Sequence, residues 1–427
     1  MNYKSVKGTA DILPRPVGSV ELRQAMESIS QDIFQKFGYR EIRTPIIEEK
    51  SLFVKSIGEE TDIVTKEMFS FKDRGEREIV LRPEGTAPIV RAYLEANLHK
   101  TDTFQKFYYM GSMFRAERPQ AGRMRQFHQI GAEAIGSGLP EIDAEVIKLL
   151  TSLLDAMKIK GYKIRINNLG CKEDKTSLSK TLRGVLTKEK NALCDDCRKR
   201  LDINPLRVLD CKNESCRSLI RGAFKSVKFL CKKCDEHFNK VLACLDRLGI
   251  KYELDPYIVR GLDYYTQTVF EVTHPGLGSQ DALGAGGRYD NLISDMGGPQ
   301  LGAAGFALGV ERILIVAAKQ GPTVDPHDEK VVYVATMGDA ARKKGFELID
   351  LLRSDKWEKK VVFDMDYENK SLKAQMREAD KLGAKFVLII GDDEISKGEA
   401  MLRDMMTKEQ QGVKFDDVVR TIKGKIE

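Results

Sequence analysis

The stretch that most constrains the fold of this chain is YYMGSMFRAERPQAGRMRQFHQIGAEAIG, residues 108–136. Two segments of extended character, Tyr108–Arg115 and Arg125–Ile135, flank a connection that holds Arg118, Pro119, Gly122 and Arg123. The pattern predicts an antiparallel hairpin with a long cationic tip. In the returning strand Phe127, Gln129, Gly131 and Glu133 share one face, and His128, Ile130, Ala132 and Ala134 share the other. His128 is therefore expected on the core-facing side, with no chemistry of its own. The opposite face offers an aromatic ring, an amide, bare backbone and a carboxylate, while Gly111 and Arg115 lie on one face of the outgoing strand. If the two faces coincide they form a polar platform for a ligand. The alternative is a surface sheet with ordinary cross-strand charge pairing.

The rest of the chain supplies a setting for that hairpin. Leu22, Met26, Ile29, Ile33 and Phe37 recur at helical spacing up to Gly38, a suitable C-terminal cap. A short extended piece at 39–45, a helix near Glu48–Ile57 and strands at Glu67–Phe71 and Glu78–Arg82 follow. The sequence ArgProGluGlyThr at 82–86 then turns the chain into a helix through Pro88, Val90, Tyr93 and Leu94. Beyond the hairpin, Ile142–Met157 reads as a helix and Tyr162–Asn168 as a strand. From Cys171 to about Leu254 the chain turns Lys-rich and Cys-rich with helical periodicity, the composition of an inserted module. Strand character returns at Ile258–Arg260 and Thr266–Thr273, followed by Gly-rich segments at 284–290 and 302–312. A polar stretch at 320–329 marks a domain boundary. After it, strands at Val331–Ala335, Val361–Met365 and Phe386–Ile390 alternate with helices near Ala340–Arg353 and Ser371–Leu382, which predicts a small α/β domain with a mostly parallel sheet. A further strand at Glu399–Met406 and a closing helix at Asp416–Ile426 complete the chain.

No apolar run approaches the length of a membrane span, and the N-terminus lacks the order of a secretory signal. The expectation is a cytoplasmic protein with no membrane partner, in which the 8 cysteines are free thiols or metal ligands. The net charge of +6 permits an anionic partner without demanding one. No Walker-type phosphate loop is present, and neither Gly-rich segment fits a dinucleotide fingerprint. Charge supplied by side chains offers another route to a nucleotide. Arg115, Arg123, Arg260, Arg288 and Arg312 all lie in apolar or Gly-rich contexts where a guanidinium must find a partner. Converging, they would grip a polyphosphate; dispersed, each would pair with a local carboxylate such as Glu84, Glu133 or Glu311.

These residues carry a resemblance. FRAERPQAGRMRQFHQIGAE at 114–133 is similar to motif 2 of class II aminoacyl-tRNA synthetases, GFALGVER at 305–312 to motif 3, and GYREIRTPIIE around Pro45 to the dimer-forming motif 1. VRGLDYYTQTVFEV at 259–272, LRPEGT at 81–86, GGRYD at 286–290 and NPLRVLDCK at 204–212 resemble the histidyl-tRNA synthetase family specifically. The likeness runs almost end to end and is loosest between Lys212 and Ala243.

The resemblance implies an α/β architecture of three parts. Residues 1–170 and 255–325 would form an α+β catalytic domain with a six-stranded antiparallel sheet, 171–254 a helical insert, and 330–427 an α/β anticodon-binding domain. It implies a homodimer that joins histidine to tRNA(His) through histidyl-adenylate, with ATP as substrate and Mg2+ accompanying the nucleotide. Arg260 would bridge the histidine carboxylate and the α-phosphate where other class II enzymes use a metal ion, and so act in catalysis with Arg115 and Gln129. Arg115 would hold the α-phosphate, Arg123 the outer phosphates, and Phe127 with Arg312 the adenine. Glu84, Gly85, Thr86 and Gln129 would fix the α-amino group, and Glu133 with Tyr265 would read the imidazole nitrogens. Tyr264 and Arg288 would line the same pocket. A related architecture serves as a non-catalytic regulatory subunit of ATP phosphoribosyltransferase. The C-terminal α/β domain and the intact arginine set favour the enzyme.

The insert leaves two readings of its cysteines. Cys194-x2-Cys197 and Cys231-x2-Cys234, with Cys211 and Cys216 between them, suit either tetrahedral zinc or free thiols, and no metal ligand is assigned. Its lysines suit contact with tRNA phosphates as well as a solvated face.

Overall fold

The structure is a computed structural model that describes residues 3–14, 20–211, 213–224, 229–278, 281–321 and 330–427. Residues 322–329, most of the polar stretch expected to divide the chain, lie outside them. Two compact units divide within that stretch, residues 1–324 and 325–427.

The first unit is organised by one large sheet. Six strands pair antiparallel in the order Gln105–Phe114, Gln126–Ile135, Ala303–Gly309, Ala282–Arg288, Thr266–Thr273 and Lys163–Asn168. Two-residue parallel strands, Arg40–Glu41 and Glu253–Leu254, cap the edges. The expected hairpin is its first pair, with Gly111 opposite Gln129, Tyr109 opposite Gly131 and Met113 opposite Phe127. Directly opposed residues in an antiparallel pair share a face. The two halves of the predicted platform therefore coincide.

Opposite faces of the sheet meet different surroundings. Under one lie helices Val20–Lys36, Pro140–Ala156 and Val310–Gln320, whose Met26, Phe34, Val146, Leu150, Leu153 and Ile313 pack on Tyr108, Ile130, Ala132 and Ala134. Each fully buried leucine or isoleucine there contributes roughly 1.5–3 kcal/mol. His128 does lie on this side, but within a polar seam: its ring meets Ser112 at 3.2 Å and Glu311 at 2.8 Å, and Glu311 holds Arg23 at 3.0 Å. On the other face, Tyr109 and Met113 meet helix Thr86–Glu95 and the tyrosines 264, 265 and 289.

Two local expectations differ from the structure. Ile258–Arg260 is not a strand; its carbonyls and those that follow are taken by side chains, Asn167 Nδ2 on Ile258 and Lys175 Nζ on Asp263 and Tyr265. The strand expected from Glu67 begins at Ser70, because Ile63–Glu67 winds as a π-helical turn. Ser70–Lys72 joins Ile47–Glu49 and Glu78–Leu81 in a separate three-stranded sheet.

The insert is helical, as expected, with helices Lys172–Leu186, Asp195–Ile203, Glu214–Phe224 and Lys232–Arg247. It has a small core of its own around Leu178, Leu182, Leu201 and Ile220. In the second unit Val361–Met365, Lys330–Thr336 and Ala384–Ile390 pair parallel. Glu399–Asp404 and a strand the sequence pattern did not announce, Gln410–Lys414, extend that sheet antiparallel. No helix among the described residues is long and apolar enough to cross a membrane.

Candidate active site

A cleft opens on the hairpin face. Counted to its mouth, open solvent included, it holds about 970 Å³ of space outside protein atoms. Its walls come from four places in the chain: Glu84 and Thr86 at the start of helix Thr86–Glu95; Arg115, Arg123, Phe127 and Gln129 on the hairpin; Arg260, Tyr264 and Tyr265 on the loop before strand Thr266–Thr273; and Arg312 in the first turn of helix Val310–Gln320.

One end is a closed carboxylate pocket. Glu84 accepts hydrogen bonds from the backbone N–H of Thr86 at 2.7 Å and of Ala87 at 2.9 Å, so it caps the helix start. The Tyr264 hydroxyl lies 3.4 Å from the same carboxylate. Burial raises the Glu84 pKa, opposed by those two amide donors. Glu133 lies deeper and accepts from the Thr86 hydroxyl at 2.7 Å and from the Tyr289 hydroxyl at 2.6 Å. Its burial pushes the carboxyl from 4.5 to about 8. Burial likewise lifts the Tyr265 phenol to about 12, against the pull of Arg260. Every titratable group at this end is therefore held toward its neutral form, a pocket suited to a neutral, hydrogen-bonding ring.

Bare backbone makes these positions accessible. A side chain at Gly305 would place its Cβ 1.8 Å from Glu133 Oε2, and one at Gly131 or Gly85 would meet the Tyr109 ring at 2.4 or 2.5 Å. Gly131 in the hairpin thus leaves room for Tyr109 from the neighbouring strand.

The other end is cationic. Arg260 sits 3.1 Å from Glu271. Arg115 donates Nε to the Pro83 carbonyl at 3.0 Å and lies over the Phe127 ring, 5.4 Å from its centroid. Arg123 pairs with Glu117 at 2.9 Å. Arg312 donates to the carbonyls of Gly122 at 3.1 Å and Ala282 at 2.6 Å, which ties the hairpin tip to the helix start. Burial lowers its pKa and Arg123 lowers it further. Glu117 lies between Arg115 and Arg123, 4.0 Å from one and 2.9 Å from the other. Buried Gln129 Oε1 and Arg260 Nε have no hydrogen-bond partner among the described residues; buried polar atoms of that kind mark a place where a ligand completes the set.

Four of the five arginines singled out in the sequence converge here. Arg288 does not. It is fully buried, donates Nε to Asp143 at 3.1 Å, and reaches Asp290 and the carbonyls of Ser137 and Leu139. It locks the sheet to helix Pro140–Ala156, the local carboxylate pairing that was the alternative for each arginine. Gly85 also lies outside the lining: it caps helix Thr86–Glu95 with its Cα against Tyr109.

Sequence reasoning singled out neither Tyr109, which lines the cleft, nor Tyr289, one residue beyond Arg288, which holds Glu133. The strand beside Tyr289 carries a bulge. Pairing of Ala282–Arg288 with Thr266–Thr273 slips between Gly287, opposite Val269, and Arg288, opposite Thr266. Gln267 takes up the excess in a left-handed conformation, φ +46°. Its amide donates to Asp290 at 2.8 Å. Along their own strand the alternation is regular: Arg288 is opposite Ala304, on the face of Phe306 and Leu308, and so points to the back of the sheet, while Tyr289 points to Glu133. That alternation, carried on from Gly286, was the available signal.

Comparison with known proteins agrees with this geometry. Residues 8–313 match the family model of histidyl-tRNA synthetase, and residues 331–425 match that of an anticodon binding domain. A histidine–tRNA ligase of Halothermothrix orenii is 45% identical over 420 residues, 98% of each chain. The crystal structure of apo histidyl-tRNA synthetase from S. aureus superposes with a TM-score of 0.81 at 34% identity, covering 99% of this chain and 100% of that one. An ATP phosphoribosyltransferase regulatory subunit/histidyl-tRNA synthetase from Bacillus halodurans C shares the fold, with a TM-score of 0.65 at 22% identity, covering 91% of this chain and 98% of that one.

Proposed function

The chain belongs to the histidyl-tRNA synthetase family, and from that premise we propose how its cleft performs the reaction. The activity is ATP-dependent ligation of histidine to tRNA(His) through histidyl-adenylate. The observation that carries it is one continuous cleft, closed and hydrogen-bonding at one end and cationic at the other.

Histidine enters ring first. One imidazole nitrogen donates to Glu133, whose position Thr86 and Tyr289 fix, and the Tyr265 phenol meets the other. An analogue without both nitrogens leaves a buried carboxylate and a phenol unpaired, the most effective form of rejection available to a small pocket. Glu84, Thr86 and the unpartnered Gln129 Oε1 receive the α-amino group. That places the substrate carboxylate toward Arg260.

The first step is attack by this carboxylate on the α-phosphorus of ATP, with pyrophosphate leaving in line. Both reactants are anions, so fixed positive charge must supply most of the rate enhancement. Arg260 neutralises the carboxylate and α-phosphate together, and Arg115 holds the α-phosphate from the other side. Arg123 holds the outer phosphates after exchanging Glu117 for them. Phe127 and Arg312 bound the adenine. Mg2+ bound to the nucleotide would supply charge neutralisation of its phosphates. In the second step the terminal ribose hydroxyl of tRNA attacks the adenylate carbonyl carbon and AMP leaves.

Residues 1–170 and 255–325 form the catalytic domain, 171–254 an insert whose lysines meet tRNA phosphates, and 330–427 the anticodon-reading domain. The chain works as a cytoplasmic homodimer. The exposed Ile46, Ile47 and Phe71 of the three-stranded sheet, beside the motif 1 segment, are apolar surface that a second copy would cover. Histidine-dependent exchange of labelled pyrophosphate into ATP tests the assignment. Exchange that requires L-histidine, with transfer to tRNA(His) on its addition, is expected. Absence of exchange at saturating substrates would leave the non-catalytic role.

A further inference from the structure

Three helices of the insert open with the same arrangement of donors. Cys171 and Asp174 occupy the N-cap and third position of Lys172–Leu186, Cys194 and Cys197 those of Asp195–Ile203, and Cys231 and Cys234 those of Lys232–Arg247. Both positions point at the unpaired amides of a first turn, where the helix dipole favours negative charge. The fold gathers the pairs into two clusters. The sulfurs of Cys194, Cys197, Cys211 and Cys216 all lie within 4.8 Å of one another, and so do the donor atoms of Cys171, Asp174, Cys231 and Cys234.

The first cluster has the dimensions of a coordination sphere. Cys194 Sγ and Cys211 Sγ are 3.8 Å apart. Four sulfurs about 2.3 Å from a shared zinc, at tetrahedral angles, are separated by about 3.8 Å; a disulfide would bring two of them to about 2.05 Å. Backbone amides aim at the sulfurs, Cys194 N–H at Cys216 Sγ (3.1 Å) and Asn213 N–H at Cys211 Sγ (3.4 Å). Such donors favour thiolate over thiol and orient ligands in metal sites. In the second cluster the backbone N–H groups of Cys171 and Cys231 donate to Asp174 at 3.2 and 3.0 Å, which fixes the carboxylate between the two helix starts.

We propose that the insert holds two structural zinc ions, one on Cys194, Cys197, Cys211 and Cys216, the other on Cys171, Asp174, Cys231 and Cys234. Zinc binding releases a proton from each ligating thiol, four at the first site and three at the second. The first ion joins helix Asp195–Ile203 to the segment carrying Cys211 and the start of helix Glu214–Phe224. The second clamps the entry of the insert, at Cys171, to the start of its last helix. Both reinforce a module whose own apolar core is small.

The clamps also bear on the histidine pocket. Helix Lys172–Leu186 carries Lys175, whose Nζ donates to the carbonyls of Asp263 and Tyr265 at 2.9 Å each. Asn204, which follows helix Asp195–Ile203, donates to Asp263 Oδ1 at 3.0 Å. The loop that presents Arg260 and Tyr265 therefore rests on segments the two ions hold. This consequence rests on the histidine-pocket reading above; the zinc sites do not.

Elemental analysis of the purified full-length chain tests the sites directly. Two zinc ions per chain are expected, falling to one in Cys197→Ser and in Cys234→Ser and to none in the double variant. A measurement on the unaltered chain guards against variants that fail to fold: a thiol reagent should react at once with Cys244 alone, and mercurial titration of the rest should release two zinc ions to a chromogenic chelator. Loss of the second ion should raise the KM for histidine several-fold more than it lowers kcat. Metal-free protein with all eight thiols reactive would overturn the proposal. One ion, lost in Cys197→Ser and retained in Cys234→Ser, would overturn the second site, and stoichiometric iron would overturn the identity of the ion. Correct zinc content with an unchanged KM would refute the link to the pocket alone.

Discussion

Glu133→Gln should make the protein more stable while removing its capacity to select histidine. The folded pocket holds Glu133 at a pKa of about 8 against an ordinary 4.5. Between those values the unfolded chain has lost the proton and the folded chain keeps it, so stability falls as pH rises through this window. At pH 7 the loss is about 1.36 kcal/mol for each of ~2.5 units, or about 3 kcal/mol. Glutamine carries no ionisation and escapes that loss. It still accepts from one of the two hydroxyls, Thr86 or Tyr289, but must donate to the other, a mismatch costing about 1 kcal/mol. The net gain at pH 7 is about 2 kcal/mol, a rise of roughly 3–5 °C in the midpoint of the first unit. At pH 5 the two effects offset each other and the variant should melt with the parent. Thermal melts of both proteins at pH 5 and pH 7.5, followed by circular dichroism, make the comparison. Histidine-dependent pyrophosphate exchange should meanwhile fall roughly 100-fold or more in kcat/KM. A variant destabilised equally at both pH values would show that Glu133 is ionised in the folded protein, and the account of the pocket would fail.

The same titration shapes substrate binding: the KM for histidine should fall as pH rises from 6.5 to about 8, as the carboxylate that accepts the imidazole N–H becomes available, and a flat profile in that range would contradict it. Arg260→Ala should slow adenylate formation ~10²–10³-fold with little change in histidine affinity, as expected for a group acting on charge that develops in the transition state; pre-steady-state formation of the adenylate beside equilibrium histidine binding separates the two, and equal losses would refute the role. Arg288→Ala should cost about 3–5 kcal/mol in chemical denaturation, because it leaves buried Asp143 without its guanidinium, with His237 at 3.5 Å beside it. In Arg288→Lys the KM for histidine should stay at the parental value, and a selective rise there would return Arg288 to the pocket.

Much of this site was legible before the fold was known, where chemistry and periodicity agreed. The alternation of Phe127, Gln129, Gly131 and Glu133 put four pocket or near-pocket positions on one face, because a hairpin leaves little freedom in which side chains share a side. Glu84 and Thr86 were visible because a strand end feeding a helix start must satisfy its first amides. Arg288 was placed in the pocket by the resemblance rather than by its strand, whose alternation carried on from Gly286 turns Arg288 to the back and Tyr289 to Glu133. Ile258–Arg260 looked like a strand because two apolar residues and an arginine carry too little periodicity to tell strand from braced loop. Gln410–Lys414 escaped because an exposed edge strand needs only one inward apolar residue, here Val413. The spacing of the cysteines suited zinc or free thiols and did not give their grouping. Asp174 stands 57 residues before Cys231, and only folding brings the two together.

The regular alternation of the strand that ends at Arg288 also sets which kinds of sequence change the protein can survive. Adjacent side chains on an extended backbone leave in opposite directions, so removing Gly287 would exchange the outlooks of Arg288 and Tyr289. A guanidinium would then face Glu133, and Asp143 would be left to a phenol. Point substitutions in this strand are therefore graded injuries, whereas a single-codon deletion reverses the polarity of both compartments at once and has no partial outcome.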